Sequence, residues 1–218
     1  MDQSAPSRRR LVPLVLVAVA AIIFAVDQLV KNWVVTHLPE GETVPVLGEF
    51  LQWHFVRNPG AAFSMASGST WIFTILAAVV VVVILWQIRR LRSISWSIFL
   101  GLLLGGVLGN LTDRLTREPG FPVGHVIDFI STPWLWLGFP QGIYNIADMA
   151  IVGGMILFVG ITLLGLPVDG SPRETRKSRA EAAAVAEDTD TGTDAVTNTN
   201  TNTNTNTNTD ADSDHGTP

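Results

Sequence analysis

Four stretches of this chain run for the length of a bilayer crossing with almost no charge, and nothing else in the sequence constrains the fold so tightly. Leu11 to Val26, Trp71 to Ile88 and Trp96 to Leu111 hold no charged residue, and Ile143 to Leu166 holds only Asp148. In hydrocarbon each backbone N–H and C=O must be satisfied within its own segment, so runs of this kind become helices. The first continues past Asp27 to about Val35, roughly 25 residues or ~37 Å at 1.5 Å per residue, enough to cross a ~30 Å core. Arg8-Arg9-Arg10 ahead of it and the small residues Ala18, Ala20 and Ala21 within it also fit a cleavable signal peptide. The continuation past Asp27 favours a retained span. With 47% hydrophobic and 15% charged residues, the composition is that of a membrane protein.

Four crossings put both ends of the chain on one side. The segments before the first run, between the second and third, and after the fourth hold ten of the fourteen lysines and arginines: Arg8, Arg9, Arg10, Arg89, Arg90, Arg92, Arg173, Arg176, Lys177 and Arg179. The positive-inside rule makes that side cytoplasmic and turns the connections 36–70 and 112–143 outward. Three parts follow: a cytoplasmic N-terminus over 1–10, a four-span membrane domain over 11–166, and a cytoplasmic tail over 167–218. In the tail, periodicity ends and Thr197 to Thr209 alternates Thr and Asn, which cannot bury enough apolar surface to fold. The tail is expected to be disordered. Its acids also account for the net charge of -5, which says little about the membrane domain.

The outward connections carry the chemistry. Thr43 to Leu47 and Phe50 to Val56 alternate in the manner of strands in a small extramembrane sheet. Gly101, Gly105, Gly106 and Gly109 line the third run and predict close helix contact. Ionisable groups beside apolar spans are expensive and mark function by default. They gather here: Asp27 and Lys31 share a helix face at i and i+4, Asn110 and Asp113 end the third run, Asn145 and Asp148 open the fourth, and Asp128 enters from the loop between. Asp113 adjoins Arg114, a neighbour that would hold it ionised and structural.

Two carboxyls sharing one proton give an acid and a base near neutral pH, the arrangement by which aspartic proteases activate water. Spacing alone leaves open which two. Cysteine is absent, so thiolate nucleophiles, disulfides and thiolate metal sites are excluded. His37, His54, His125 and His215 show no HExxH or comparable spacing, and there is neither a phosphate loop nor a nucleic-acid stripe. His125 reads as a loop histidine with a possible tuning role, and Trp134 and Trp136 as interfacial anchors that, with Phe129, could close the site from outside. A transporter using Asp27, Asp113 and Asp148 as an ion path would spread polar groups through the bilayer depth, whereas these collect near one face. A structural subunit would leave the clustered carboxyls unexplained.

In order along the chain stand Asp27-Gln28-Leu29-Val30-Lys31, Arg57-Asn58-Pro59-Gly60-Ala61-Ala62-Phe63, Gly105-Gly106-Val107-Leu108-Gly109-Asn110-Leu111-Thr112-Asp113-Arg114, Val126-Ile127-Asp128-Phe129 and Tyr144-Asn145-Ile146-Ala147-Asp148. This ordered set, over residues 11–166, resembles the lipoprotein signal peptidases, the signal peptidase II family of aspartic membrane proteases. The resemblance implies four transmembrane helices with a small extramembrane sheet, and Asp128 and Asp148 as the catalytic pair. Asp27, Lys31, Asn58, Asn110, Asp113, Arg114 and Asn145 are implied to bind substrate or organise the site. It further implies removal of the signal peptide from diacylglyceryl-modified prolipoproteins before the lipidated cysteine, by an enzyme of the cell membrane that needs no metal or cofactor. The partners expected are prolipoprotein substrates and membrane lipid, with no nucleic acid, and the protein is expected to be a monomer. Val30, Ile127 and Tyr144 depart from the usual serine or threonine, valine and phenylalanine.

Overall fold

The computed structural model describes residues 5–60, 70–136 and 142–171. Helices α1 (Ala5–His37), α2 (Thr70–Gln87), α3 (Ile94–Thr116) and α4 (Ile146–Leu163) account for the four apolar runs, and each is long and apolar enough to cross a membrane. Their outer faces stay apolar, with Leu14, Leu29, Val82, Trp86, Ile156 and Leu163 all exposed, as helices surrounded by lipid require.

Helix α3 is the centre of the bundle, packing against the other three. Its glycines make this possible. A Cβ on Gly105 would stand 2.8 Å from the Ala20 carbonyl oxygen of α1, and one on Gly106 would stand 2.5 Å from the Ala147 carbonyl oxygen of α4. The expected close helix contact is therefore present, and it runs along two faces of α3 at once.

Strands β1 (Thr43–Pro45), β2 (Gln52–Asn58), β3 (Val126–Ser131) and β4 (Ile143–Tyr144) form one antiparallel sheet in sequential order. The first two fall where alternation predicts. The expectation that Asp128 enters from a loop is corrected: it lies on β3, all six residues of which are buried. The fourth helix is also shorter than expected, because Ile143 and Tyr144 form β4 and Asn145 caps α4. Helix α3 runs on to Thr116, which keeps Asp113 and Arg114 helical.

Two apolar cores result. One, near the start of α1, gathers Val12, Leu16, Ile84, Phe99, Leu104 and Ile161. The other joins the end of α1 to the sheet through Val34, Phe55, Ile127, Phe129 and Ile130. Phe129, 1% exposed and tilted against Trp53, is thus a core residue and not part of a lid. Trp134 is exposed and stacks on Phe50 at 4.8 Å, with its Nε1 donating to the Phe50 carbonyl. The side chain of Trp136 lies outside the described residues, as does most of the expected tail. Leu166 to Ser171 are ordered beyond α4, where Trp96 Nε1 donates to the Leu166 carbonyl and Arg92 N to that of Val168.

Candidate active site

Between the two cores lies a polar cluster to which α1, α3, α4, β2 and β3 all contribute. Asn58 and Asp128 face each other diagonally across β2 and β3, since Asn58 pairs with Val126 and Val56 with Asp128. Asn58 Nδ2 donates to Asp128 Oδ2 at 2.8 Å, while Asn58 Oδ1 accepts from Gly60 N at 3.0 Å, which fixes the direction of the amide. The ends of the segment that follows are tied by Thr70 Oγ1, which donates to the Pro59 carbonyl.

Asn145 has extended backbone, φ -130° and ψ -177°, and heads α4 in a capping box with Asp148. Its Oδ1 accepts from Asp148 N at 2.9 Å, and its own N donates to Asp148 Oδ2 at 3.1 Å. With its oxygen so committed, the Nδ2 end points outward and donates to Asp128 Oδ1 at 2.7 Å and Asn110 Oδ1 at 3.1 Å. Asn110 Nδ2 in turn donates to Asp148 Oδ1 at 2.8 Å. One residue, Asn145, therefore holds both Asp128 and Asp148.

Asp128 is 3% exposed, whereas Asp148 is half-buried. Burial, with the nearby Asp148 charge adding to it, pushes the Asp128 carboxyl up to about 7, against the opposing effect of the amide donors Asn58 and Asn145. Near neutral pH, Asp128 is thus poised to hold a proton beside a second carboxyl. This is the asymmetry that acid–base chemistry on a single water requires.

Beneath the pair lies an ion cluster in which Asp27, Lys31 and Asp113 are fully buried and Arg117 is partly exposed. Lys31 Nζ meets Asp27 Oδ2 at 2.9 Å and Asp113 Oδ2 at 2.8 Å. Arg117 Nε reaches Asp113 Oδ1 at 2.5 Å, so two cations balance two carboxylates. Both carboxylates also anchor backbone. Asp27 Oδ1 accepts from Ala147 N at 2.9 Å, satisfying a first-turn N–H of α4, and Asp113 Oδ2 accepts from Ile127 N at 3.3 Å, one residue before Asp128. The start of α4 and the register of β3 are each pinned by a carboxylate from another helix.

All nine residues singled out in the sequence meet at this cluster. The expected partner of Asp113 is corrected, because its ion pairs are with Lys31 and Arg117. Arg114 instead donates from Nη1 to the Asn110 carbonyl at 3.2 Å and lies over the Phe73 ring at 5.9 Å, while its Nε is buried with no partner among the described residues. Arg117, one turn after Asp113, was legible as an i,i+4 partner and was missed, as was Gln28, whose Nε2 donates to the Gly109 carbonyl at 3.0 Å. His125 stands in the loop, its N bonded to the Glu118 carbonyl.

A family model described as signal peptidase (SPase) II matches residues 19–164. The chain is 52% identical over 171 residues to a lipoprotein signal peptidase of Leifsonia xyli subsp. xyli (strain CTCB07), covering 77% of each chain. It is 44% identical over 175 residues to one of Mycobacterium avium (strain 104), covering 80% of this chain and 91% of the relative. A solved structure described as a bacterial membrane enzyme, obtained by the in meso method at 2.3 Å resolution, superposes with a TM-score of 0.61 at 28% identity, over 74% of this chain and 94% of the other. A second such enzyme, at 1.9 Å, gives 0.58 at 30% identity, over 68% and 92%.

Proposed function

The chain belongs to the signal peptidase II family, membrane aspartic peptidases that process prolipoproteins, and on that premise we propose that Asp128 and Asp148 are the pair that hydrolyses the peptide bond. Asp148, ionised, takes a proton from water as the oxygen attacks the scissile carbonyl carbon. Asp128, protonated, donates to the carbonyl oxygen. Collapse of the tetrahedral gem-diol then breaks the C–N bond: the proton gained by Asp148 passes to the leaving amine, and a gem-diol hydroxyl returns a proton to Asp128. The observation that carries this reading is Asn145, whose backbone N–H and side-chain amide hold one carboxyl each.

The remaining polar residues divide by what they hold. Asn58 and Asn145 orient Asp128, Asn110 orients Asp148, and Asp27, Lys31 and Asp113 lock the elements beneath them. Arg114, with donor capacity to spare beside both acids, is proposed to meet substrate. The catalytic machinery lies within residues 11–166, acts as a monomer, and faces outward with both termini cytoplasmic, in keeping with the lysine and arginine distribution.

The substrate is proposed to be a prolipoprotein carrying a diacylglyceryl-modified cysteine, cut just before that residue. Two acyl chains would add apolar contact at ~0.8 kcal/mol per buried methylene, enough to dominate recognition over peptide sequence. Purified protein should therefore cleave the modified precursor and leave the unmodified one largely intact, with both losses of substrate followed by gel shift. Equal cleavage of the two forms contradicts lipid recognition, and cleavage by Asp128→Asn or Asp148→Asn contradicts the pair.

A further inference from the structure

Lys31 is buried to 0% exposure, as are both carboxylates that it meets. An ammonium has three protons and no acceptor. Two of those on Lys31 go to Asp27 and Asp113, and charge balance explains them, the more so because Arg117 completes the pairing of Asp113. Charge balance does not explain the third, which goes to a neutral oxygen, Asn110 Oδ1, at 2.8 Å.

That bond has a consequence for the working carboxyls. An amide has one accepting end and one donating end, so whatever holds the oxygen decides where the N–H groups point. In Asn110 the oxygen is held by Lys31 Nζ and by Asn145 Nδ2, and the nitrogen end is left to donate to Asp148 Oδ1 at 2.8 Å. The opposite orientation would set an N–H against the ammonium and an oxygen against the Asp148 carboxylate. Asn145, its own amide fixed by the capping bond from Asp148 N, donates to the same Asn110 oxygen at 3.1 Å against 2.8 Å for the charged Lys31 donor, and favours the same orientation.

We propose that Lys31 is a positioning residue for hydrolysis, which holds the Asn110 amide in the one orientation that donates to Asp148 and so fixes that carboxylate as the base. The proposal rests on Asp128 and Asp148 being the working pair, and adds a route by which α1 acts on it. Lys31 is linked to Asp148 by hydrogen bonds through Asn110, and its charge also acts through space on Asp128. The charged groups facing it are Asp27 on its own helix and Asp113 on α3, with Arg117 beyond Asp113 and Asp148 beyond Asn110. A purely structural cation would neutralise the two carboxylates without needing Asn110 at all.

The test uses the full chain purified in detergent and a diacylglyceryl-modified precursor. Lys31→Met alone would strand two buried carboxylates, so it is made on Asp27→Asn, which leaves Asp113 paired with Arg117. Relative to Asp27→Asn, adding Lys31→Met is expected to lower kcat about 30-fold, the loss of one charge-assisted hydrogen bond, with KM changed less than about threefold. In a chain also carrying Asn110→Ala, adding Lys31→Met should cost less than about threefold, because the link is already broken. An unchanged kcat, or the same loss with and without Asn110, overturns the proposal. If the Lys31 variant does not fold, Asn110→Ala on the intact ion cluster decides: a fall in kcat at near-constant KM sustains the link, and an unchanged kcat overturns it. Asp148→Asn, assayed alongside, separates the two claims. If it still cleaves, the pair assignment has failed; if it is dead and the Lys31 effect is additive, only the positioning role has failed.

Discussion

At the scale of single residues the site depends on amides whose direction is not free. Asn58 and Asn145 each have their oxygen held by a backbone N–H, so each presents N–H to Asp128. These bonds favour the ionised form, yet burial outweighs them and brings the carboxyl to about 7. Cleavage should therefore decline as pH rises through about 7 and Asp128 loses its proton. Asn58→Ala removes a donor to the carboxylate, so its decline should fall at higher pH in a pH–rate series; an unshifted or lowered limb contradicts the assignment. The same group links to stability. Between about pH 4 and 7 the unfolded chain has released this proton while the folded chain keeps it, so the stability contribution of Asp128 is full below the unfolded value and is lost as pH rises through about 7. The thermal midpoint of wild type in detergent should fall across that window more steeply than that of Asp128→Asn; parallel slopes would contradict it. Residue identities were legible in the sequence because carboxyls and amides stand out beside apolar runs. Their pairing was not, since the partner of Asp113 is set by Lys31, 82 positions earlier, and not by the adjacent Arg114.

At the scale of elements, the acids are held where three helices and a sheet converge, and α3 sets the spacing. Gly106 lets the first turn of α4 sit against α3 beside Asp148. A Cβ there would lie 2.5 Å from the Ala147 carbonyl oxygen, a backbone atom that cannot swing aside, and 2.8 Å from Ile151 Cγ1. Gly106→Ala should therefore destabilise by about 1–3 kcal/mol and lower kcat together with stability, as the start of α4 shifts. Gly153, on the same helix as Asp148, has nothing within 4 Å of its added Cβ, so Gly153→Ala should leave the thermal midpoint and kcat near wild type. The reverse ranking would contradict the packing account. The apolar runs and the glycine pattern made the helices legible. Strand β1 and β2 were legible from alternation, but β3 was not, because Val-Ile-Asp-Phe-Ile-Ser is buried on both faces and shows no two-residue period. Two-residue β4 was hidden for a different reason: its Ile143 and Tyr144 continue the apolar run of α4, and only the cap at Asn145 separates them.

At the scale of the whole molecule, the polar cluster lies between an apolar core inside the bundle and a second one under the sheet. The proposed orientation can be read directly, because the chain has no cysteine of its own. Glu49→Cys, on the β1–β2 connection, should react with a membrane-impermeant thiol reagent added to intact spheroplasts. Arg89→Cys, between α2 and α3, should react only after lysis; the opposite pattern would invert the topology. The four spans were the most legible property of the sequence, since they need only run lengths, whereas the cluster depends on contacts between residues as far apart as Asp27 and Ala147. The central claim, that two carboxyls on β3 and α4 activate water for peptide hydrolysis, is tested most directly by cleavage of a diacylglyceryl-modified precursor by purified protein with a chelator present, comparing wild type with Asp128→Asn, Asp148→Asn and Asp113→Asn. Wild type is predicted to cut, the first two variants to be dead, and Asp113→Asn to keep part of its activity; an active Asp128→Asn beside a dead Asp113→Asn would contradict the pair.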